Sequence, residues 1–196
     1  MQAGKWYQIG NPFVGLEKES LATLGKDFSS GFSAGDRIYV YDSSTSTYAK
    51  PVYWNPTTNS WGTLLGESVD INLKEGQAIF VYKATSGTVT LKGRVAIDTP
   101  VSVGAENGSA WAQIVCLYPG ETALNELKWE GFNSGDRMYL YDSETSQYQT
   151  PVYWNAATQT WGDLFGTPAN DVTLNPGQAM FIYKNTGVGT CTPAAN

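Results

Sequence analysis

There is no histidine anywhere in the 196 residues. That absence removes Ser-His-Asp and Cys-His nucleophilic systems, histidine general bases and histidine-ligated metals together. Charge is scarce as well. Asp, Glu, Lys and Arg make up 15% of the chain, against about 25% in an ordinary soluble protein. The balance is acidic, with a formal net charge of −6. Nucleic-acid binding needs a basic footprint, and attachment to anionic lipid needs a polybasic surface; neither is expected. No apolar run approaches the ~18 residues of a membrane helix, so membrane insertion is not expected. Met1 to Phe13 lack the charged-then-apolar pattern of a secretory leader. Low charge with abundant Thr, Ser, Gly and Tyr suits a secreted or cell-surface protein, read as a mature form whose signal peptide is absent from this chain. Cysteine is limited to Cys116 and Cys191. Their spacing suits a disulfide closing a long loop, worth ~4 kcal/mol on the chain-entropy model. The alternative is a pair of buried thiols.

What the chain has in abundance is repetition. Gly31 to Gly66 reads GFSAGDRIYVYDSSTSTYAKPVYWNPTTNSWGTLLG, and Gly131 to Gly166 reads GFNSGDRMYLYDSETSQYQTPVYWNAATQTWGDLFG, without a gap at an offset of 100 residues. GQAIFVYK from Gly76 returns as GQAMFIYK from Gly177. Such a repeat sets the architecture before any single residue does. It divides the chain into a first β repeat over 1–94, a structured connector over 95–109 and a second β repeat over 110–196. Each unit is near the usual domain size. Enzymes rarely keep two copies of a whole active site, so the duplication speaks for a scaffold and against catalysis.

Strand signals dominate each copy. Ile38-Tyr-Val-Tyr41 is a β-rich run, Asp42 to Ser46 a turn, and Tyr48 to Trp54 the return strand. Asn55 to Ser60 turns again before Trp61. Gln77–Lys83 is the strongest strand, and Thr88–Lys92 follows it. Trp6 to Ile9 and Trp111 to Ile114 open the two copies. Helix is confined to two short stretches, Glu17–Leu24 and Glu121–Leu127, with Leu21, Leu24, Leu124 and Leu127 facing inward. In the connector, Val95, Ile97, Val101 and Val103 alternate with polar residues and read as two short strands. The first repeat has no upstream equivalent, which leaves one edge open to strand addition. The expected fold is all-β: two tandem antiparallel sandwich or barrel-like repeats with pseudo-twofold symmetry and very little helix.

Aromatics form 13% of the chain, and the repeated ones are the candidate ligand-binding residues: Tyr39, Tyr41, Tyr53 and Trp61, with Tyr139, Tyr141, Tyr153 and Trp161. Alternation places the tyrosines of Ile38-Tyr-Val-Tyr on the face opposite the aliphatics. That face is a stacking platform for sugar or peptide, a set of cross-strand aromatic pairs, or a surface covered by the other repeat. Trp54 and Trp154 share parity with Val52 and Val152 and read as core. Gly-Asp-Arg recurs as Asp36-Arg37 and Asp136-Arg137. It reads as a structural charged pair closing a turn, with Asp able to cap loop amides and Arg able to pair with Asp or lie on a tyrosine. Asp42 and Asp142 sit in hydroxyl-rich loops but offer too few carboxylates for calcium, so no metal is expected. Gly76-Gln-Ala and Gly177-Gln-Ala lack the helix a phosphate loop requires, and no cofactor is expected.

The order of these pieces is itself informative. Trp6-x-x-Ile-Gly-Asn-Pro12 comes first, then Gly-Asp-Arg-Ile-Tyr-Val-Tyr-Asp42. Hairpins ending in Trp-Gly, Glu-Gly-Gln-Ala-Ile-Phe-Val-Tyr-Lys83 and Val89-Thr-Leu-Lys-Gly-Arg-Val95 follow. This resembles a tandem β-module of secreted and cell-surface proteins from Verrucomicrobia- and Planctomycetes-type bacteria. The resemblance spans both repeats, with Ala78 and Ala179 where the module often has Gly, and Val115-Cys-Leu-Tyr-Pro119 replacing Gly-Asn-Pro. It implies a secreted, non-enzymatic β-module. The leading expectation is a structural or adhesive protein of the secreted or cell-surface kind, self-associating or attached to an extracellular polymer. The alternative is a carbohydrate-binding module that takes a glycan on its repeated aromatics, bivalent by duplication.

Overall fold

The computed structural model describes residues 1–14, 22–23, 31–69, 71–96 and 98–193. The first repeat contributes β1 (Lys5–Gly10), β2 (Ala22–Thr23), β3 (Arg37–Asp42), β4 (Thr47–Tyr48), β5 (Val52–Asn55), β6 (Ser60–Gly62), β7 (Asn72–Leu73) and β8 (Ala78–Lys83). The connector supplies β9 (Val101–Gly104). The second repeat contributes β10 (Ala110–Val115), β11 (Thr122–Ala123), β12 (Lys128–Glu130), β13 (Arg137–Asp142), β14 (Gln147–Tyr148), β15 (Val152–Asn155), β16 (Thr160–Gly162), β17 (Thr173–Leu174), β18 (Ala179–Lys184) and β19 (Val188–Thr192). The fold is all-β and sandwich-like, built from antiparallel sheets, none of which closes into a barrel among the described residues.

Both repeats use one strand order. The main sheet of the first runs β1-β8-β3-β5-β6, with β4 paired to β3, and that of the second runs β10-β18-β13-β15-β16, with β14 paired to β13. Register matches too: Tyr39 faces Phe80 and Tyr139 faces Phe181, while Trp54 faces Trp61 and Trp154 faces Trp161. Alternation sorts the two faces of each sheet. In the first repeat Ile38, Val52, Ile79 and Val81 point inward and join Trp61 and Leu73 in one core. In the second, Met138, Leu140, Met180, Ile182 and Trp161 do the same with Leu124, Leu174 and Cys191.

The short helix expected at Glu121–Leu127 is instead strand β11 followed by a single 3-10 turn, Leu124–Glu126. Leu124 and Leu127 are nonetheless buried. The inward pattern was right, but the stretch is too short to nucleate an α-helix without more hydrogen bonds. The counterpart at Glu17–Leu24 lies outside the described residues apart from Ala22–Thr23, which is strand; Ile97 also lies outside them. Of the two connector strands expected, β9 is the one described, and it pairs with β19 of the second repeat. β19 therefore sits between β12 and β9. At the matching point of the first repeat, Met1 and Gly87 exchange backbone hydrogen bonds of 2.9 and 3.1 Å, and no strand is described over Thr88–Lys92.

The two sheets meet through paired contacts. Gly10 N–H donates to Gly177 O at 3.0 Å and Val115 N–H to Gly76 O at 2.8 Å. Ile9 bridges Gln178, and Ile114 bridges Gln77. The approach is close enough that a Cβ on Gly10 would lie 2.5 Å from Val115 Cγ1.

Candidate binding surfaces

Several charged residues are committed to the fold itself, which limits what chemistry remains. Asp36 is fully buried, as is Lys83 at the end of β8, and the two form an ion pair. The Asp36 carboxylate also accepts N–H bonds from Ser33 at 2.8 Å and Ala84 at 2.7 Å. The second repeat copies this. Lys184 Nζ lies 2.7 Å from Asp136 Oδ2, and Asp136 accepts from Asn133 at 2.8 Å and Asn185 at 2.7 Å. The Asp of Gly-Asp-Arg is thus a structural charged residue, as its turn context suggested, but its ion-pair partner is lysine and not the neighbouring arginine. Adjacent strand residues point to opposite faces, so Asp36 and Arg37 cannot share a side of the sheet. Arg37 lies on the outer face, its Cζ 4.4 Å from the Tyr82 ring centroid and 5.4 Å from that of Trp6. Arg137 lies likewise 4.5 Å from Tyr183 and 5.6 Å from Trp111.

Asp42 and Asp142 are held by their own turns. Asp42 accepts from Ser44 N at 2.9 Å and Ser44 Oγ at 2.6 Å. Asp142 accepts from Glu144 N at 2.7 Å and Thr145 Oγ1 at 2.9 Å. These donors hold both carboxyls below the usual range. Among the described residues no group of three or more Cys, Asp or Glu side chains could hold a metal ion.

The repeated aromatics divide three ways. Trp61 and Trp161 are buried in the two cores, packed edge-on against Trp54 and Phe32, and against Trp154 and Phe132. They offer no ring face to a ligand, because they share the inward parity of the Trp54 and Trp154 they oppose. Tyr53 and Tyr153 are half-buried on the outer face, opposite Arg37 and Arg137. The remaining rings meet at the junction of the repeats. Tyr41 is buried, with its centroid 5.0 Å from that of Phe181, and Phe80 lies 4.9 Å from Tyr141. Gln8 Nε2 donates to the Tyr148 hydroxyl at 3.3 Å. Tyr48 and Tyr148 keep 38% and 37% of their surface exposed, but desolvation of their hydroxyls at the junction pushes that of Tyr48 up to about 12 and raises that of Tyr148 as well. Much of the aromatic face is therefore covered by the other repeat.

One part stays open. Trp6, Tyr39, Tyr48 and Phe80 of the first repeat, with Tyr141 of the second, line a shallow cleft of about 390 Å³. Its rings are splayed: Trp6 meets Phe80 at 6.3 Å and 81°. The matching rings of the second repeat lie flat on each other. Trp111 stacks on Phe181 at 4.7 Å and 22°, and Tyr148 on Phe181 at 6.0 Å and 24°.

A second surface escaped the sequence reading. Leu64 and Leu65 are 77% and 89% exposed, and Leu164 and Phe165 are 71% and 93% exposed. Each pair crowns the tight turn after a buried Trp-Gly. In the first repeat Thr63 N donates to Glu67 O at 2.8 Å and Gly66 N to Thr63 O at 3.0 Å. In the second, Asp163 Oδ1 accepts from Phe165 N at 2.9 Å and Thr167 N at 2.8 Å, and its carboxyl is held low by these bonds. Gly166 closes the turn at φ +88°, which a side chain would resist. Below it, Asn125 bonds both backbone groups of Trp161, at 2.8 and 3.1 Å. These apolar pairs are held out into solvent by an ordered turn. The sequence signal was present: Leu-Leu-Gly and Leu-Phe-Gly follow a Trp-Gly hairpin strand, at positions where turns are ordinarily polar.

The expected disulfide is not formed. Cys116 and Cys191 are free, buried thiols. Both lie in the second core, and burial pushes the Cys191 thiol well up. Among the described residues no helix is long and apolar enough to cross a membrane, which leaves membrane strands unaddressed. No known family model matches the chain, nor does any curated protein or solved structure.

Proposed function

We propose that the chain is a non-enzymatic structural or adhesive module of the secreted or cell-surface kind, acting through association with copies of itself. The observation that carries this reading is the duplicated apolar turn. Leaving a large aliphatic or aromatic side chain exposed forgoes about 1.5–3 kcal/mol, and both repeats do so at the same place with an ordered backbone. Contiguous exposed apolar groups of this kind mark interaction sites. The use of Asp36, Lys83, Asp136 and Lys184 inside the fold, and of Asp42, Asp142 and Asp163 in their own turns, supports a role without catalysis. The likeness to secreted tandem modules fits the same picture. The matched contacts Gly10–Gly177 and Val115–Gly76 support a pseudo-twofold pairing of the repeats, since reciprocity is what an isologous contact produces. Light scattering over a rising concentration series tests the proposal: a mass that stays monomeric throughout refutes association.

A carbohydrate-binding reading stands second, favoured by the open cleft. Flat ring walls suit the apolar face of a sugar, and five aromatic side chains line the cleft. The covered junction leaves less ring surface for this use than the repeated tyrosines suggested. A glycan array with the Tyr39→Ala variant beside the wild type decides it; a sugar held equally well by both excludes this cleft.

A further inference from the structure

We infer that the exposed Leu164-Phe165 tip of one molecule docks into the aromatic cleft of another, so that copies join head to tail. This rests on the self-association reading above and assigns it a contact. Four observations on the molecule lead to it. First, the tip is an apolar projection, and the cleft of Trp6, Tyr39, Tyr48, Phe80 and Tyr141 is an apolar recess with room for an aromatic ring and a neighbouring aliphatic group. A ring entering there meets others edge-on, the arrangement aromatic side chains favour, and one that already holds between Phe80 and Tyr141 at 90°.

Second, a molecule cannot fill its own cleft. β16 is the outermost strand of the second sheet, whereas β10 is its opposite edge and lies at the junction with the first repeat. In the folded molecule Phe165 is 93% exposed and so lies outside the cleft, and its turn is pinned there by Asp163 and Asn125. An occupant comes from outside the molecule, and the apolar projection that every copy carries is this tip.

Third, the two halves are unequal in complementary ways. The larger tip, with Phe165, belongs to the second repeat, where the first has Leu65. The splayed rings belong to the first repeat, while the matching rings of the second are stacked on one another. A larger knob on the second repeat and an open aromatic recess lined mainly by the first make a heterologous contact, which propagates unless its rotation happens to close a ring. Fourth, the charges adjoining the tips are Glu67 and Asp163, and the chain carries −6 overall. Acidic flanks disfavour an anionic lipid surface as the alternative occupant.

A tip and a cleft of this size fall well below the roughly 1,200 Å² of a stable specific interface. Association is accordingly weak for one contact and appears only at high concentration.

The test is sedimentation velocity of the intact chain and two variants. Phe165→Ser removes the knob from an exposed turn and leaves both cores untouched. Tyr39→Ala removes a wall of the recess, with circular dichroism checking its fold. The expected result is a sedimentation coefficient that rises with wild-type concentration, and a rise displaced to at least tenfold higher concentration in either variant. An equimolar mixture of the two variants, each with one intact half, should stop at dimers. Leu65→Ser should behave as wild type. If Tyr39→Ala misfolds, a photo-crosslinking phenylalanine analogue at 165 replaces it, and crosslinks should map to the peptides of Trp6 and Phe80.

Wild-type association that Phe165→Ser leaves unchanged overturns the contact while sparing the self-association reading. A strictly monomeric wild type overturns both. Phe165-dependent pelleting with neutral phosphatidylcholine vesicles, without self-association, gives the tip to lipid. A glycan retained by a monomeric wild type and lost in Tyr39→Ala gives the cleft to sugar.

Discussion

Replacing Asp136 with alanine removes one half of a fully buried ion pair. Neither Asp136 nor Lys184 is solvent-exposed, and the carboxylate accepts three hydrogen bonds: from Lys184 at 2.7 Å, Asn133 at 2.8 Å and Asn185 at 2.7 Å. In the variant the ammonium keeps only the Thr186 carbonyl at 2.9 Å and the Phe132 ring at 5.2 Å among the partners described. Breaking a buried pair from one side costs about 3–5 kcal/mol, because a charge is left uncompensated. The two loop amides add about 1 kcal/mol each where water cannot reach them. Lys184→Met should cost less, since the carboxylate retains its two backbone donors. The double variant should be more stable than Asp136→Ala alone, because no orphaned charge remains. Urea unfolding followed by tryptophan fluorescence measures all four proteins, and the cycle isolates the coupling. For a chain of this size the Asp136→Ala loss corresponds to a fall in Tm of roughly 10–25 °C. A loss below about 1 kcal/mol, or a double variant worse than the sum of the singles, refutes the structural role of the pair.

Other outcomes follow from the same geometry. The folded-state pKa of Tyr48 is raised to about 12, and that of Tyr148 is raised also, so the stability they contribute is complete below the unfolded value near 10 and is lost as pH rises through the folded one. Two tyrosines should therefore resist ionisation, read at 295 nm, until the junction opens in strong alkali; ordinary titration of all twelve tyrosines near pH 10 counts against the covered junction. Asp163→Ala should speed hydrogen exchange at the Phe165 and Thr167 amides while leaving the Leu64-Leu65 turn unaffected; unchanged exchange denies the carboxylate its holding role. Cys116 and Cys191 should resist a thiol reagent in the native protein and both react in urea, with no two-dalton mass change on reduction.

The sequence was most legible where alternation and turn chemistry act locally. Ile38-Tyr-Val-Tyr41 declared its two faces, and the all-β class and repeated strand order followed. Trp54 and Trp154 were read as core from parity with Val52 and Val152. Applied across the hairpin to the residues they oppose, that rule reaches Trp61 and Trp161 as well. Lys83 and Lys184 were missed for a related reason. Each continues the inward series, Ile79-Val81-Lys83 in the first repeat, so a buried cation needed a buried anion, and Asp36 is the charge that ends nearby. That pairing spans 47 residues, and no short-range signal in the sequence carries it. The disulfide was judged from chain spacing, which says nothing of how far apart two sulfurs sit within a core. The docking of the aromatic faces was legible only as one of three alternatives. What selected it, the approach of Gly10 to Val115 and of Tyr41 to Phe181, is tertiary.

Sedimentation velocity of the wild type against Phe165→Ser, run over the same concentration series, tests most directly whether the ordered apolar tip exists to join molecules. The wild type should sediment faster as concentration rises, and the variant should remain near the 21.3 kDa monomer. Two superimposable monomeric profiles, or two that grow together, contradict it.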